Sequence, residues 1–167
     1  MARRIELEVD YSTNTLGFYT NFDNYGAILY YAYTINKNLA LELYKAMVSE
    51  YYYKLETNMP LQGVTEENSN AYLLLDDLPQ VISFINNEVL PSLQLLPLTL
   101  DLVSVWNIGN SFDAFLMNKG SFFNYFSIDN IKQRGYTVEY FIGVFTQLRD
   151  FFQDVKIKNV TYKVSIV

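Results

Sequence analysis

The chain contains 18 acidic residues but neither histidine nor cysteine, so any chemistry must use carboxylates, tyrosine, lysine or arginine. Catalysis by Ser-His-Asp or Cys-His groups is therefore excluded, and zinc is not expected because its protein sites nearly always use histidine or cysteine. No Gly-x-x-x-x-Gly-Lys or Gly-x-Gly-x-x-Gly motif occurs, so the common phosphate-binding loops are missing. We predict no catalytic residues, no metal site and no cofactor.

Two pairs of adjacent acids, Glu66-Glu67 and Asp76-Asp77, best fit hard-cation chemistry, since Mg²⁺ and Ca²⁺ prefer oxygen ligands. The spaced loop of a calcium hand is absent, and adjacent residues on a helix do not face each other. Acids followed by Leu78-Pro79 are typical of a helix start, an interpretation we favour over a metal site. An enzyme that uses only carboxylate, Tyr, Lys or Arg chemistry stays an alternative, because one sequence cannot reveal which acids meet in space.

An acidic stretch occupies the middle of the chain, where no lysine or arginine lies between Lys54 and Lys119. Its acids are Glu56, Glu66, Glu67, Asp76, Asp77, Glu88, Asp101 and Asp113. Nucleic-acid binding needs clustered lysine and arginine, so we expect no direct contact with nucleic acid. The stretch indicates either a solvated surface or a face for a protein partner with a basic surface. The two acidic pairs are the candidates for that contact, because a loop and a helix start present side chains to solvent.

Three consecutive tyrosines, Tyr51, Tyr52 and Tyr53, end a predicted helix. Three consecutive helical residues spread over roughly 200° of the surface. Tyr51 continues the apolar stripe, so Tyr52 and Tyr53 lie partly outside it. Exposed tyrosines are common anchors at interfaces, which makes these two partner-binding candidates. The alternative is that another element of the same domain covers them.

A second apolar line runs along the predicted C-terminal helix through Tyr140, Val144 and Phe151, with Gly143 permitting close approach. A helix that is apolar on two sides is either central in the core or shared with a partner. Central burial ranks slightly ahead of a homodimer interface. These four residues are the self-association candidates.

Alternation of apolar and charged residues predicts an antiparallel strand over residues 4–11. Turn residues follow, so residues 16–20 are expected to return as the second strand of a hairpin. Residues 155–167 predict a strand that pairs with the N-terminal strand near the middle of the sheet. Residues 98–106 contain β-branched residues and an aromatic end, which favour a further strand.

Helices are predicted over residues 39–55, 78–90 and 138–154. Residues 25–35 fit a helix or a strand, and Ala27 and Ala32 favour a first helix there. Residues 21–24 are interpreted as a break before the first helix. Asn38 is the expected N-cap of the second helix and Thr137 that of the last. Pro91 is expected to end the third.

These patterns predict one α+β domain over residues 1–167, with a small, mainly antiparallel sheet that includes the N- and C-terminal strands and about three to four helices. No repeat or low-complexity linker divides the chain. The sequence contains no apolar run long enough to span a membrane and no secretory signal, so we expect a cytoplasmic protein without membrane contact, in the host cytoplasm if viral.

The composition favours a non-enzymatic, acidic protein-binding module. It resembles, in composition alone, small acidic inhibitors that phages or mobile elements make against host defence nucleases, and immunity proteins that neutralise toxin nucleases. Such a protein would occupy a basic or nucleic-acid-binding surface of its partner. The alternatives are the carboxylate-based enzyme described above and a viral structural or assembly component.

Overall fold

The structure is helix-rich and contains a small antiparallel sheet. This computed structural model describes residues 4–9, 17–47, 77–105, 133–160 and 162–166. The elements in chain order are β1 (Arg4–Val9), β2 (Phe18–Asn21), α1 (Phe22–Ile35), α2 (Lys37–Met47), α3 (Leu78–Phe84), a π-helical turn (Ile85–Val89), α4 (Leu90–Gln94), α5 (Leu102–Val105), α6 (Val138–Lys158) and β3 (Tyr162–Ile166). The α+β class is thereby confirmed in this coarser form, while a single domain over residues 1–167 stays a prediction.

The described strands form one sheet in the order β2-β1-β3, with both pairs antiparallel. Leu7 of β1 is paired with Phe18 of β2 and with Val164 of β3. Leu7 and Val9 are buried on one face of β1, as the alternation predicts. The antiparallel pairing of the predicted hairpin strands and that of the N- and C-terminal strands are confirmed. The predicted turn at residues 12–15 lies outside the described residues. Of the two terminal strands, β1 is central in the described sheet and β3 is at its edge.

The strand predicted over residues 98–106 is wrong for its described part, 98–105. Only a single bridge, between Asp101 and Thr137, has strand character there, and the short helix α5 follows it. The carboxylate of Asp101 accepts a hydrogen bond from the Val103 backbone N–H at 3.0 Å and so begins this helix. Helix capping therefore outweighs the strand preference of the β-branched residues. With 78–94 taken as one segment, the described residues form five helices, one more than the upper predicted number.

Helix α1 begins directly after β2, so the predicted break at residues 21–24 is wrong. Asn21 has the extended backbone of an N-cap, although its side chain makes no capping hydrogen bond. The next helix begins at Lys37, because the Asn36 side-chain oxygen accepts hydrogen bonds from the N–H groups of Asn38 and Leu39. The N-cap is therefore Asn36 rather than Asn38. Asn21 and Asn36 each occupy the residue before a helix, a position at which asparagine is favoured.

Residues 78–94 form one continuous helical segment, which extends past the predicted stop at Pro91. The π turn makes this possible, since the Leu90 N–H bonds to the carbonyl of Ile85, five residues earlier. A wider turn before Pro91 relieves the clash of a proline ring with the carbonyl four residues earlier. The predicted core positions of this segment are confirmed as buried: Val81, Phe84, Ile85 and Val89.

Helix α6 packs against α3, the π turn, α4 and β2 and is the centre of the described core. Thr137 caps it by accepting a hydrogen bond from the Tyr140 N–H at 3.2 Å, as predicted. The predicted core stripe of α6 is fully buried and consists of Val138, Phe141, Phe145, Leu148 and Phe152. Tyr31 of α1 contacts this stripe through Phe141 and Phe145, at ring-centroid distances of 5.6 and 6.0 Å.

The last strand begins at Tyr162, later than the predicted start at residue 155, because α6 continues to Lys158. Helix α6 ends at Asn159, whose φ of 52° is left-handed. Asparagine tolerates this conformation better than most residues do. Apolar residues such as Val155 therefore belong to the buried face of the helix and not to the strand.

Helix α6 is the longest described helix, with 21 residues, and it carries charged residues such as Arg149 and Asp154. A membrane-spanning helix needs about 20 predominantly apolar residues. No helix among the described residues combines the length and the hydropathy needed to cross a membrane.

Candidate partner-binding cleft

An open cleft lies between β2, the first turn of α1 and the N-terminal half of α6. Its volume is about 540 Å³. The residues that line it are Tyr19, Thr20, Asn21, Asn24, Glu139, Tyr140, Gly143, Val144 and Gln147. A volume of this size is in the range of sites that hold a small molecule or a side chain of a partner.

Local structure explains how these side chains meet. Residues 140, 143, 144 and 147 follow one another at intervals that share a helix face, so they form one wall. Strand β2 borders the cleft with Tyr19 and Thr20, and Tyr19 is 63% exposed. Because α1 starts immediately after β2, Asn21 and Asn24 lie one turn apart at the end of the cleft.

Tyr140 is held in place at the edge of the cleft. The side-chain N–H of Asn24 donates a hydrogen bond to the Tyr140 hydroxyl at 2.6 Å, and Thr20 also bonds this hydroxyl. The Tyr140 ring contacts those of Tyr136 and Phe141, with centroids 6.0 and 5.9 Å away. These contacts fix the orientation of a side chain that is still 38% exposed.

The pKa of the Tyr140 phenol is raised above its ordinary value. Burial is the main cause, and it outweighs the hydrogen bonds from Thr20 and Asn24 and the nearby charge of Arg134, which lower the pKa. At neutral pH Tyr140 is therefore a neutral phenol. Its hydroxyl takes part in hydrogen bonds, but it is not poised to act as a general base.

Gly143 lies in the middle of α6, where glycine costs about 1 kcal/mol of helix stability relative to alanine. No described atom lies within 4 Å of the position that a Cβ on Gly143 would occupy, apart from the neighbouring helix backbone. Within the described part of the chain, no other element makes use of the close approach that Gly143 permits, and close approach by a partner stays a prediction. The missing side chain instead leaves space in the cleft.

Glu139 is the one charged residue among those that line the cleft. A single carboxylate cannot supply the acid and base pair that carboxylate-based hydrolysis uses. Elsewhere in the described residues, no group of three or more acidic side chains could hold a metal ion. The cleft combines two tyrosines, three side-chain amides and one carboxylate, a set suited to recognition of polar or cationic groups.

Most of the predicted partner-binding residues lie outside the described part of the chain, namely Tyr52, Tyr53, Glu66, Glu67 and Asp76. Asp77 is described and half-buried. It occupies the N-cap position of α3, as the helix-start interpretation requires, although its side chain makes no capping hydrogen bond. A role for these residues in binding stays a prediction.

Two other acids of the acidic stretch have internal structural roles. Glu88 accepts a hydrogen bond from the Asn36 side chain at 3.2 Å and so joins the π turn to the start of α2. Asp101 accepts from the Tyr136 N–H at 3.0 Å, in addition to starting α5. For these two acids, fold stability is a sufficient explanation.

The structure divides the four self-association candidates. Tyr140, Gly143 and Val144 line the cleft together. Phe151 is 3% exposed and packs edge-on against Tyr162, with ring centroids 5.3 Å apart. Central burial therefore accounts for Phe151, whereas self-association through the other three stays a prediction.

Sequence reasoning missed Tyr19, Thr20, Asn21, Asn24, Glu139 and Gln147 as parts of one site. The helical period could have added Gln147, because it lies three residues after Val144 and so on the same helix face as Tyr140 and Gly143. The four residues from β2 and α1 depend on tertiary packing, which no local pattern reveals. No protein-family model, curated protein or solved structure matches the chain.

Proposed function

We propose that the protein is a non-enzymatic binding module, one domain in extent, that holds a partner protein with a basic surface at the cleft beside Tyr140. The observation that carries the proposal is the lining of the cleft, where tyrosines, amides and a glycine surround one carboxylate. Tyrosine gives a large contact area with little loss of conformational entropy, and asparagine and glycine give adaptable hydrogen bonding. Protein-binding surfaces made for recognition share this composition.

Preorganisation supports the same proposal. The Tyr140 side chain is already restrained by Asn24 and by ring contacts, so less conformational entropy is lost when a partner binds. Like any tyrosine it is uncharged at neutral pH, and burial raises its pKa further above the ordinary value. An uncharged, oriented tyrosine is a good anchor for a partner and a poor catalytic base.

Charge supports a basic partner. The chain has a net charge of −6, and the cleft carries one acid and no lysine or arginine among its lining residues. Complementary charge speeds association and disfavours acidic competitors. A protein of this kind would block a nucleic-acid-binding surface of its partner in the cytoplasm, as inhibitors encoded by phages or mobile elements do.

The test is capture of a partner from host lysate with two matched variants. Gly143→Leu fills the cleft from its helical wall, whereas Thr146→Leu places the same side chain on the same helix outside the cleft lining. We expect Gly143→Leu to weaken the captured complex at least about tenfold, a loss of roughly 1.4 kcal/mol, and Thr146→Leu to retain it. Equal capture by Gly143→Leu and the parent, with both folded, would refute a binding role for the cleft.

The acidic pair at Glu66 and Glu67 gives a separate test of electrostatic steering. If these acids attract the partner, the double variant Glu66→Gln/Glu67→Gln should associate more slowly and depend less on salt, with little change in stability. Association rates measured at low and moderate salt give the answer. An unchanged rate would restrict the charge effect to the cleft.

A further inference from the structure

We infer that the cleft takes the guanidinium group of an arginine side chain presented by the partner protein. This inference rests on the proposed function and specifies the chemical group at its centre. It follows from three properties of the cleft: aromatic faces, hydrogen-bond acceptors and open space over the helix backbone.

Two partly exposed tyrosines line the cleft, Tyr140 on α6 and Tyr19 on β2. A guanidinium group is planar, weakly hydrated and attracted to the face of an aromatic ring. Tyr140 is restrained by its hydrogen bond with Asn24, so its ring is ready for such a contact.

The acceptors suit a group with several N–H donors in one plane. Glu139 brings a carboxylate, and Asn21 and Gln147 bring amides. Asn24 donates its side-chain N–H to Tyr140 at 2.6 Å, so its carbonyl oxygen is the part of that amide left to accept from a ligand. Arginine carries five N–H donors in a fixed geometry, whereas the lysine ammonium concentrates three at one point.

The charges around the cleft also favour a cation. Glu139 is the one charged lining residue, so an anionic ligand would meet a like charge there. Arg134 lies close enough to lower the pKa of Tyr140, but it precedes α6 and is not one of the residues that line the cleft. Glu139 therefore favours a cation within the cleft lining, and the charge of Arg134 acts against it from outside.

Gly143 provides the room for the arginine stem. Because no described atom approaches the position of its absent Cβ within 4 Å, an aliphatic chain can lie against the α6 backbone at this point. Glycine in the middle of a helix lowers the stability of the helix. No packing contact among the described residues compensates for that loss at Gly143. Access for a ligand accounts for this choice of residue.

The experiment uses the full chain and three blocked tripeptides: Gly-Arg-Gly, Gly-Lys-Gly and Gly-citrulline-Gly. Citrulline keeps the shape and length of arginine but has no charge. Binding is followed by NMR through the Gly143 backbone amide and the side-chain amides of Asn24 and Gln147. We expect the arginine peptide to shift these signals with millimolar affinity and the citrulline peptide to bind at least about fivefold more weakly, since charge-assisted hydrogen bonds are roughly twice as strong as neutral ones.

Two variants make the assignment specific. Glu139→Gln should weaken the arginine peptide about fivefold and leave the citrulline peptide unchanged, because it removes a charge with little change in shape. Asp150→Asn removes an exposed acid from the same helix outside the cleft and should leave both peptides unchanged. Both substituted positions are exposed, so both variants are expected to fold.

The results that overturn this inference differ from those that overturn the proposed function. Equal affinity for arginine and citrulline peptides, or stronger binding of the lysine peptide, refutes the arginine assignment while the cleft remains a binding site. The arginine assignment is also refuted if no peptide shifts the amide signals at tens of millimolar, even when Gly143→Leu abolishes partner capture. Retention of the partner by Gly143→Leu instead refutes the proposed function.

Discussion

One face of α6 has two ends with different surroundings. At the N-terminal end, Tyr140 and Gly143 line an open cleft. At the C-terminal end, Phe151 is covered by the ring of Tyr162 from β3. Tyr162 is itself held by a hydrogen bond from its hydroxyl to the backbone carbonyl of Ala46 in α2. The same helical line therefore serves the core at one end and faces solvent at the other.

The difference shows what an apolar helical line does and does not establish. Tyr140 and Phe151 are both aromatic and belong to the same line, yet 38% of one and 3% of the other is exposed. What separates them is the cover that β3 brings after α6 has ended at Asn159. Whether another element packs on a helix face depends on the tertiary structure. The apolar pattern therefore identifies the face but not the element that contacts it.

The largest expected effect separates the two ends directly. Phe151→Ala should destabilise the protein by about 3–5 kcal/mol, because it leaves a cavity between α6 and Tyr162. Tyr140→Ala should cost only about 1–2 kcal/mol, since part of its ring already contacts water. Chemical denaturation of both variants measures the difference. Equal losses of unfolding free energy in the two variants would mean that Tyr140 is as well packed as Phe151.

Gly135 provides the next test, just before α6 begins. Its φ of +68° is left-handed, and a Cβ there would lie 3.2 Å from the carboxylate of Asp101. Gly135→Ala should therefore cost roughly 1–2 kcal/mol in backbone strain alone. The same carboxylate accepts from the Tyr136 N–H, so displacing it also loosens the start of α6. A thermal shift to lower temperature is expected; an unchanged midpoint would contradict the strain.

Much of the fold could be predicted from the sequence, because its signals are local. The alternation in β1, the stripe of α6 and the Thr137 cap each depend on near neighbours along the chain. Errors occurred where a local signal was overridden. The π turn carries the helix past Pro91, and the capping by Asp101 starts a helix where β-branched residues indicated a strand.

The candidate site was less predictable, because it combines three elements. Three of its residues were identified from α6, but as a line for self-association and not as one wall of a cleft. The role of Asn24 depends on α1 starting directly after β2, which the asparagines at 21 and 24 were taken to prevent. Glycine in the middle of a helix was the strongest local signal of the site.

The covered end of α6 should also respond to alkaline pH. Desolvation raises the pKa of Tyr162 well above its ordinary value of 10.0, so the folded state disfavours its ionised form. Stability from this residue is complete below pH 10 and is lost as pH rises above that value, where the unfolded chain ionises first. Denaturation at pH 8 and pH 11 measures the loss.

Tyr162→Phe is the matched variant for this pH effect. It removes the hydrogen bond to the Ala46 carbonyl and should cost about 1 kcal/mol at pH 8. It also removes the ionisable group, so its stability should fall less between pH 8 and pH 11 than that of the parent. Tyr31, whose pKa is also raised mainly by burial, titrates in both proteins and does not affect the comparison. Equal losses would place the alkaline sensitivity elsewhere.

The smallest expected effect has the opposite sign and concerns the open end. Gly143→Ala should stabilise the protein by about 0.5–1 kcal/mol, because alanine favours the helix and the added Cβ meets no described atom within 4 Å. Gly135→Ala is its control, since the same change there is strained and should destabilise. If Gly143→Ala also destabilises, another element must approach α6 at this point and the cleft is not open. If it stabilises and weakens partner capture, the glycine reduces helix stability in favour of binding, and the two ends of the helix face differ in function as well as in cover.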